Sequence, residues 1–337
     1  MPENKTALIK AHMLSEAKIQ LDSNIDKHEL YSSTGNIGKS CWIFIRLSKT
    51  SRVRMTLSET ANLILVKSDT NDYFIQDSQT DEIIIKHVMV ERIFAHAPEQ
   101  LFLLLYKNCS SGCLFCPLTY TSNDSHYSWE EIYHKILQNI SHGIKSISFT
   151  TSCPRGKTQD ELVDEIADIA IKTQESFGEN IPLGASLKTP TKKQLLRLKE
   201  AGITETRLNL ETYNMILAHQ LMPNKDVNKI LCSIEDAVNI FGKEKVSSNI
   251  IIGLGESDED ILDGVNKLAE IGALSTLYPY DVIENLHEQF KRPLANRIYY
   301  LATEHKKILQ KYNLNPLGAK TMCCACAGSH LYPGKDL

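Results

Sequence analysis

The sequence has no long apolar run and no excess of charge of either sign. No apolar stretch approaches the roughly 20 residues that span a bilayer, and the opening MPENKTALIKAHMLSEAK contains no signal-peptide core. The 37 basic and 41 acidic residues give a formal charge of −4, so electrostatics gives no reason to expect a nucleic acid or an anionic membrane as partner. We expect a cytoplasmic globular protein.

Cysteine, in contrast, is present in an unusual distribution. Six of the nine cysteines fall in two tight groups, which in a cytosolic chain indicates metal binding rather than a disulfide framework. For the scattered Cys41, Cys153 and Cys232, a buried structural role is the default. The groups are Cys109, Cys113 and Cys116 in CSSGCLFC, and Cys323, Cys324 and Cys326 in TMCCAC.

The first group supplies one ligand fewer than a closed metal centre needs. A tetrahedral zinc ion or a cubane iron–sulfur cluster normally has four protein ligands. CSSGCLFC directly follows the apolar stretch LFLLLYKN, which predicts a strand. Three thiolates on the loop after it would leave one metal position open for a substrate or cofactor.

The chain divides into three parts by pattern. Residues 1–97 contain a predicted helix near 4–20 and short β-rich runs between polar turns, which predicts a small β-rich domain. Residues 98–315 alternate strands with amphipathic helices whose capping boxes begin at Ser128, Thr158 and Thr191. Residues 316–337 form a Cys-rich tail. The strands are predicted at 101–106, 146–151, 181–187, 205–211, 246–254 and 274–280.

Six strand–helix units predict an α/β fold, a partial (β/α)6 TIM-like barrel. Strands of such folds carry chemistry at their carboxyl ends. The first cysteine group follows the first of these strands and is therefore expected at the catalytic face.

CSSGCLFC, with an aromatic residue before its last cysteine and a partial barrel behind it, resembles the radical S-adenosylmethionine (SAM) superfamily. The resemblance implies a [4Fe–4S] cluster on Cys109, Cys113 and Cys116, with SAM on the open iron. A zinc knuckle with a distant fourth ligand is the alternative.

The segments RLNLET (207–212) and IIGLGES (251–257) resemble strand signatures of the biotin synthase-related branch of that superfamily. The resemblance implies that Asn209 and Glu211 bind the SAM ribose, although the family usually has Asp at the second position. It also implies adenosine contacts for Gly253 and Gly255, and adenine packing for Phe115.

The second strand ends in TTSC, where many relatives have a Gly-Gly-Glu that contacts the methionine amino group. Thr150, Thr151 and Ser152 could offer hydroxyl and carbonyl acceptors instead. The other interpretation is a strand end with ordinary polar residues.

The second cysteine group has no role in SAM cleavage. Cys323, Cys324 and Cys326 predict a second [4Fe–4S] cluster on a C-terminal flap over the barrel, with Cys153 at the barrel mouth, Ser329 or His330 as fourth ligand. A terminal zinc site or an oxidation-prone tail is the alternative. Biotin synthase itself is disfavoured, because Ser247 stands where that enzyme has a cluster cysteine.

The resemblance implies reductive cleavage of SAM to methionine and a 5′-deoxyadenosyl radical. For the second step we favour sulfur insertion at unactivated C–H bonds, as in a two-component, archaeal-type lipoyl synthase. Its expected partners are an octanoylated lipoyl carrier protein, a second radical SAM protein and a ferredoxin or flavodoxin.

Two other functions stay open at this point. One is a radical SAM methylase or cofactor-assembly enzyme with an electron-transfer cluster. The other is a non-enzymatic iron–sulfur carrier or zinc-binding interaction protein. The histidines His219, His287 and His305 are predicted to face solvent and receive no catalytic role.

Overall fold

A closed β-barrel precedes a half-open α/β barrel along the chain. The computed structural model describes residues 4–26, 30, 42–91, 93, 97–120, 125–281 and 290–337. Cys41 and His287 lie outside these residues. No helix within the described ranges is both long and apolar enough to cross a bilayer.

The β-rich part is a barrel and not an open sheet. Its strand order is β1-β3-β2-β6-β5-β4, and β1 pairs in parallel with both β3 and β4. That double pairing joins two antiparallel sheets and removes their free edges. The elements are α1 (Lys5–Glu16), β1 (Lys18–Leu21), β2 (Trp42–Arg46), β3 (Arg52–Leu57), β4 (Leu63–Lys67), β5 (Tyr73–Asp77) and β6 (Ile83–Glu91).

Six parallel strands form the second sheet, in the order β12-β11-β10-β9-β8-β7. This confirms the predicted partial α/β barrel. The strands are β7 (Gln100–Leu104), β8 (Ser146–Thr150), β9 (Leu183–Ser186), β10 (Glu205–Arg207), β11 (Val246–Ile252) and β12 (Leu274–Pro279). The strand β10 is shorter than predicted, because after Arg207 the chain leaves the regular ladder and Leu210 N–H bonds to the Ser248 side chain (2.9 Å).

Helices cover the outer face of this sheet. All three predicted capping boxes form, at Ser128, Thr158 and Thr191, where each hydroxyl accepts from the N3 amide and the N3 side chain accepts from the cap amide. These helices are α2 (Trp129–Ile140), α3 (Gln159–Phe177), α4 (Lys192–Glu200), α5 (Met215–Leu221), α6 (Val227–Phe241), α7 (Asp258–Ile271) and α8 (Ala295–Lys311). A further helix, α9 (Met322–Cys326), belongs to the tail.

The two faces of the sheet differ in chemistry. Residues such as Leu103, Phe149 and Ala185 are apolar, fully buried and packed with the outer helices. The alternate residues, among them Ser148 and Ser186, face the barrel lumen. The sheet is therefore apolar outside and largely polar inside.

The Cys-rich tail lies against the amino ends of the strands. The Glu205 carboxylate, at the start of β10, accepts hydrogen bonds from the amides of Lys320 (2.9 Å) and Thr321 (2.8 Å). At Gly184 in β9, any added Cβ would lie 2.7 Å from the Thr321 hydroxyl. The N-terminal barrel holds the tail from the other side, since Arg54 N–H bonds to Gly328 O (2.8 Å).

Candidate active site

The first cysteine loop lies at the carboxyl end of the α/β sheet. Ser110 fixes its start, since both the backbone amide and the hydroxyl donate to Cys153 O (2.8 and 2.9 Å). Its middle is fixed by Leu114 N–H, which donates to Leu221 O at the end of α5 (2.9 Å). Gly112 between them has φ +70°, a conformation that glycine adopts without steric cost.

The residues after α5 form a second wall for this loop. Asn224 Nδ2 donates to Ser111 O (3.3 Å), and Pro223 lies 3.5 Å from the position of a Cβ at Gly112. This turn leads directly to Lys225, which the sequence analysis did not single out. Lys225 Nζ lies 3.5 Å from Glu211 Oε1, and both side chains are largely buried.

The three thiols share one electrostatic environment. Burial raises the pKa of Cys113, and it raises the pKa of Cys116 to about 12, with the neighbouring thiolates adding to the effect. Burial alone would lower the pKa of Lys225, but the charges of Glu211, Cys113 and Cys116 outweigh it and raise that pKa. Lys225 is therefore a buried cation beside the predicted cluster ligands.

Cys153 joins this site. A hydrogen bond from its thiol lowers the pKa of Cys109 to about 4, and the same bond raises the pKa of Cys153. The structure thus places Cys153 beside Cys109 at the carboxyl end of the strands. That Cys153 could also serve as the fourth ligand of the second cysteine group stays a prediction.

The donor set suits an iron–sulfur cluster better than a single ion. Within the described ranges, no three His, Cys, Asp or Glu side chains converge on one metal ion. A cubane binds each thiolate at a different iron, so its ligands need only face a common space. Cys109 lies close enough to raise the pKa of both Cys113 and Cys116, and thiolates favour iron–sulfur clusters.

The predicted ribose residues lie at the same end of the sheet. Glu211 has φ +65° and is held by hydrogen bonds from its amide to Asn249 O (2.9 Å) and from Ile251 N–H to its carbonyl (2.8 Å). Asn209 Oδ1 accepts from Asn249 N–H (3.3 Å). The structure therefore brings both side chains to the edge where the cysteine loop lies, and the ribose contact stays a prediction.

At the end of β8 the hydroxyls already have backbone partners. Thr150 Oγ1 donates to Ser186 O (3.4 Å), Thr151 Oγ1 to Ser152 O (3.0 Å), and Ser152 Oγ to Asn108 O. The last bond fixes the residue before Cys109. In this structure the three residues shape the strand end, and a contact with the methionine amino group stays a prediction.

The glycines of GLGES are required by the backbone. Gly253 has φ +115°, and a Cβ there would lie 2.1 Å from Lys291 O. Glu256 closes the turn, because its carboxylate accepts from the amides of Gly253 (2.8 Å) and Leu254 (2.7 Å). Gly255 (φ +108°) has open space at the Cβ position, 3.9 Å from Leu217. Phe115 is 7 % exposed and packs in the core with Cys113.

The cysteines of α9 face three different surroundings. Cys323 Sγ accepts a hydrogen bond from Arg207 Nη1 (3.0 Å). Cys324 is buried against Tyr332, and burial raises its pKa to about 12. Cys326 is partly buried and packs against the apolar cluster of Phe44, Ile93 and Ala97. A second cluster on these residues stays a prediction.

Of the histidines, His219 is exposed as predicted, whereas the prediction for His305 is wrong. His305 is fully buried on α8, and its Nε2 lies 2.9 Å from Ser275 Oγ. His330, proposed as a fourth ligand, is also buried, and neither ring nitrogen has a hydrogen-bond partner in the described part of the chain.

Comparison with known proteins places the site in a family. Residues 103–268 match the sequence model of the radical SAM superfamily. A GTP 3′,8-cyclase of Aliarcobacter butzleri is 25% identical over 175 residues, covering 50% of this chain and 51% of that protein. A biotin synthase of Hydrogenobaculum sp. is 28% identical over 180 residues, covering 49% of each. The chain therefore spans about half the length of these curated relatives.

Solved structures agree on the fold. A methylornithine synthase has a TM-score of 0.54 at 16% identity, covering 63% of this chain and 62% of that one. The FeFe-hydrogenase maturase HydG from Carboxydothermus hydrogenoformans has a TM-score of 0.53 at 18% identity, covering 63% and 52%. Radical SAM proteins use a [4Fe–4S] cluster together with SAM. The three-cysteine loop, the partial barrel behind it and the match over residues 103–268 make this part of the chain a radical SAM domain.

Proposed function

We propose that this chain is a radical SAM enzyme that holds a [4Fe–4S] cluster on Cys109, Cys113 and Cys116 and cleaves SAM at the carboxyl end of its α/β barrel. The observation that carries the proposal is the cysteine loop itself, fixed on both sides and lying beside the buried Lys225–Glu211 pair (3.5 Å). A non-enzymatic iron–sulfur carrier would have no use for the predicted nucleoside contacts at Asn209 and Glu211.

Each part of the site has a distinct task. The bound cofactors supply the reductive cleavage of SAM to methionine and a 5′-deoxyadenosyl radical, which abstracts hydrogen from an unactivated carbon. The chain positions the thiols through Ser110 and Leu114, balances their negative charge with Lys225, and buries the site away from water. Positioning and exclusion of water are what the protein contributes to such chemistry.

Iron analysis tests the proposal directly. After anaerobic reconstitution, about four irons per chain would support one cubane and about eight would support two. Incubation with SAM and dithionite should release 5′-deoxyadenosine from the wild type and not from Cys113→Ala. Zinc without iron, or iron without SAM cleavage, would refute the proposal.

Sulfur insertion is the second step that we favour. It is supported by the tail, which brings Cys323 Sγ within 3.0 Å of the lumen-facing Arg207. In its specific form the reaction would be lipoyl synthesis on an octanoylated carrier protein, with a second radical SAM protein and a ferredoxin or flavodoxin as partners. A methylase or cofactor-assembly reaction would instead use the tail for electron transfer or anchoring.

An octanoylated carrier peptide separates these reactions. With SAM, reductant and the partner protein, a sulfur-inserting enzyme should give a thiolated or lipoylated peptide, and Cys323→Ala should cleave SAM without thiolating it. Release of 5′-deoxyadenosine with no sulfur in the peptide would reject lipoyl synthesis and leave the SAM-cleaving function standing.

A further inference from the structure

The lumen of the α/β barrel has a polar wall, although its strands are buried on both faces. The sequences of parallel strands that are buried on both faces are usually continuous hydrophobic runs. Here many alternate residues are small and polar, and the strand register places them in neighbouring rows on the face opposite the helices. Members of these rows are Ser148, Thr150, Ser186, Arg207, Asn249 and Thr276.

Arg207 places a positive charge on this wall of the lumen. It is 9 % exposed, and its guanidinium lies over the Phe102 ring (5.3 Å). Its side-chain hydrogen bonds run to Ser186 Oγ (3.3 Å) and Cys323 Sγ (3.0 Å). Among the residues that the structure describes, no carboxylate lies within ion-pair distance of it. A buried charge without a counter-ion is costly, so this position calls for an anion.

A buried hydroxyl on the same wall of the lumen as Arg207 also lacks a hydrogen-bond partner among the described residues. Ser148 is 1 % exposed, and its Oγ makes no hydrogen bond within the described ranges. Ser148 pairs across the sheet with Phe102, whose ring supports the Arg207 guanidinium, so the hydroxyl and the cation share the lumen. The Thr276 hydroxyl on β12, in contrast, donates a hydrogen bond to Asn249 Oδ1 (2.5 Å). Native structures contain few such orphaned groups.

We infer that this lumen binds an acceptor substrate that carries a carboxylate or phosphate group, with Arg207 as the anion-binding residue and Ser148 as a second donor. The planar guanidinium matches either anion through two parallel hydrogen bonds. An alkyl chain in the same place would leave the Ser148 hydroxyl without a hydrogen bond and the Arg207 charge without a counter-ion. The inference rests on the proposed SAM-cleaving function alone, and it competes with the lipoyl form of the second step, because it requires a polar anionic acceptor in place of an octanoyl chain.

Binding to the reconstituted, SAM-loaded protein tests the inference. Anaerobic calorimetry would use three probes, namely GTP as the phosphate source, succinate as the carboxylate source and a neutral octanoyl-lysine peptide. We expect one of the two anions to bind, Arg207→Met to weaken it by about tenfold or more, and Arg207→Lys to retain part of the affinity. Arg197→Met is the matched control, because Arg197 pairs with Asp168 at the surface (3.3 Å).

The outcomes separate this inference from the function on which it rests. Absence of anion binding, equal affinity in wild type and Arg207→Met, or tight binding of the octanoyl peptide alone would overturn the lumen assignment. If Arg207→Met does not fold, the test uses Arg207→Lys instead. Its affinity for the anion should then be lower than that of Arg197→Met, and equal affinities would overturn the assignment. Release of 5′-deoxyadenosine is measured on the same preparations. A wild type that cleaves SAM yet binds no anion refutes only the inference, whereas failure to cleave SAM refutes the proposed function.

Discussion

At the scale of single residues, Lys225 is the group that distinguishes this site from a plain cysteine loop. Its ammonium lies 3.5 Å from Glu211, and the charges of Glu211, Cys113 and Cys116 together raise its pKa against the effect of burial. Removing one member of a largely buried ion pair leaves the other uncompensated. Lys225 therefore ties the predicted ribose residue and the predicted cluster ligands into one charge network.

Replacing Lys225 with Met should weaken both cofactors. We expect lower iron retention after reconstitution and a SAM dissociation constant raised by about tenfold, which corresponds to roughly 1.4 kcal/mol. Lys229→Met is the control, since this exposed lysine lies one turn away on α6. Equal iron content and SAM affinity in the two variants would show that Lys225 has no part in the site.

The Cys109–Cys153 pair predicts a pH-dependent reactivity in the metal-free protein. A pKa of about 4 makes Cys109 a thiolate from mildly acidic pH upward, whereas burial keeps Cys113 and Cys116 protonated there. Only thiolates react with iodoacetamide. At about pH 6, peptide mass spectrometry should find Cys109 alkylated well ahead of the other two.

Substitutions of Cys153 test whether the hydrogen bond from its thiol causes the low pKa of Cys109. Cys153→Ala should raise the pKa of Cys109 toward the usual range near 8.5 and abolish its labelling at about pH 6. Cys153→Ser retains a hydroxyl donor and should preserve part of the Cys109 labelling at about pH 6. Labelling of Cys109 that is the same in all three proteins would contradict the hydrogen-bond explanation.

At the scale of elements, the sequence predicted most strands and helices of the α/β barrel because their signals are local. The capping boxes at Ser128, Thr158 and Thr191 and the apolar runs between them suffice to place the helices. The closure of the N-terminal barrel could not be predicted, because it depends on β1 pairing with two strands that are distant in sequence. The environments of Cys153 and His305 were missed for the same reason.

The turn after β11 shows how one element end fixes the site geometry. Alanine at either Gly253 or Gly255 would require a strained positive φ, which costs roughly 1–3 kcal/mol. At Gly253 the added Cβ would also collide with Lys291 O at 2.1 Å, whereas Gly255 has room. Overpacking of this kind adds roughly 1–3 kcal/mol.

Urea unfolding of the two glycine variants measures that difference. We expect Gly253→Ala to lose more free energy of unfolding than Gly255→Ala, at an unchanged denaturant slope. Both variants carry the cost of a positive φ. The additional loss of free energy of unfolding in Gly253→Ala therefore measures the collision of its Cβ with Lys291 O. Equal losses would mean that the backbone around Lys291 yields without cost.

At the scale of the whole molecule, the two ends of the described chain meet in a buried ion pair. Lys10 on α1 and Asp336 in the tail are both fully buried, with Nζ and Oδ2 2.7 Å apart. Lys10 also donates to Ala327 O (2.7 Å), and Asp336 accepts from Ser51 Oγ (2.6 Å). The N-terminal barrel therefore anchors the tail that carries the second cysteine group, and this anchoring is a structural role for that domain.

Breaking this pair should release the tail. Lys10→Met leaves Asp336 buried without its cation, and such a loss costs roughly 3–5 kcal/mol. The exposed Lys5→Met on the same helix should stay within about 0.5 kcal/mol of the wild type. Thermal unfolding measures the stability, and alkylation of the buried Cys324 in the metal-free protein reports the position of α9. The double variant Lys10→Met/Asp336→Leu should recover part of the stability, since no lone charge remains buried. If Lys10→Met instead unfolds like Lys5→Met with Cys324 still protected, the tail is held by its contacts with the apolar cluster around Phe44 and not by the ion pair.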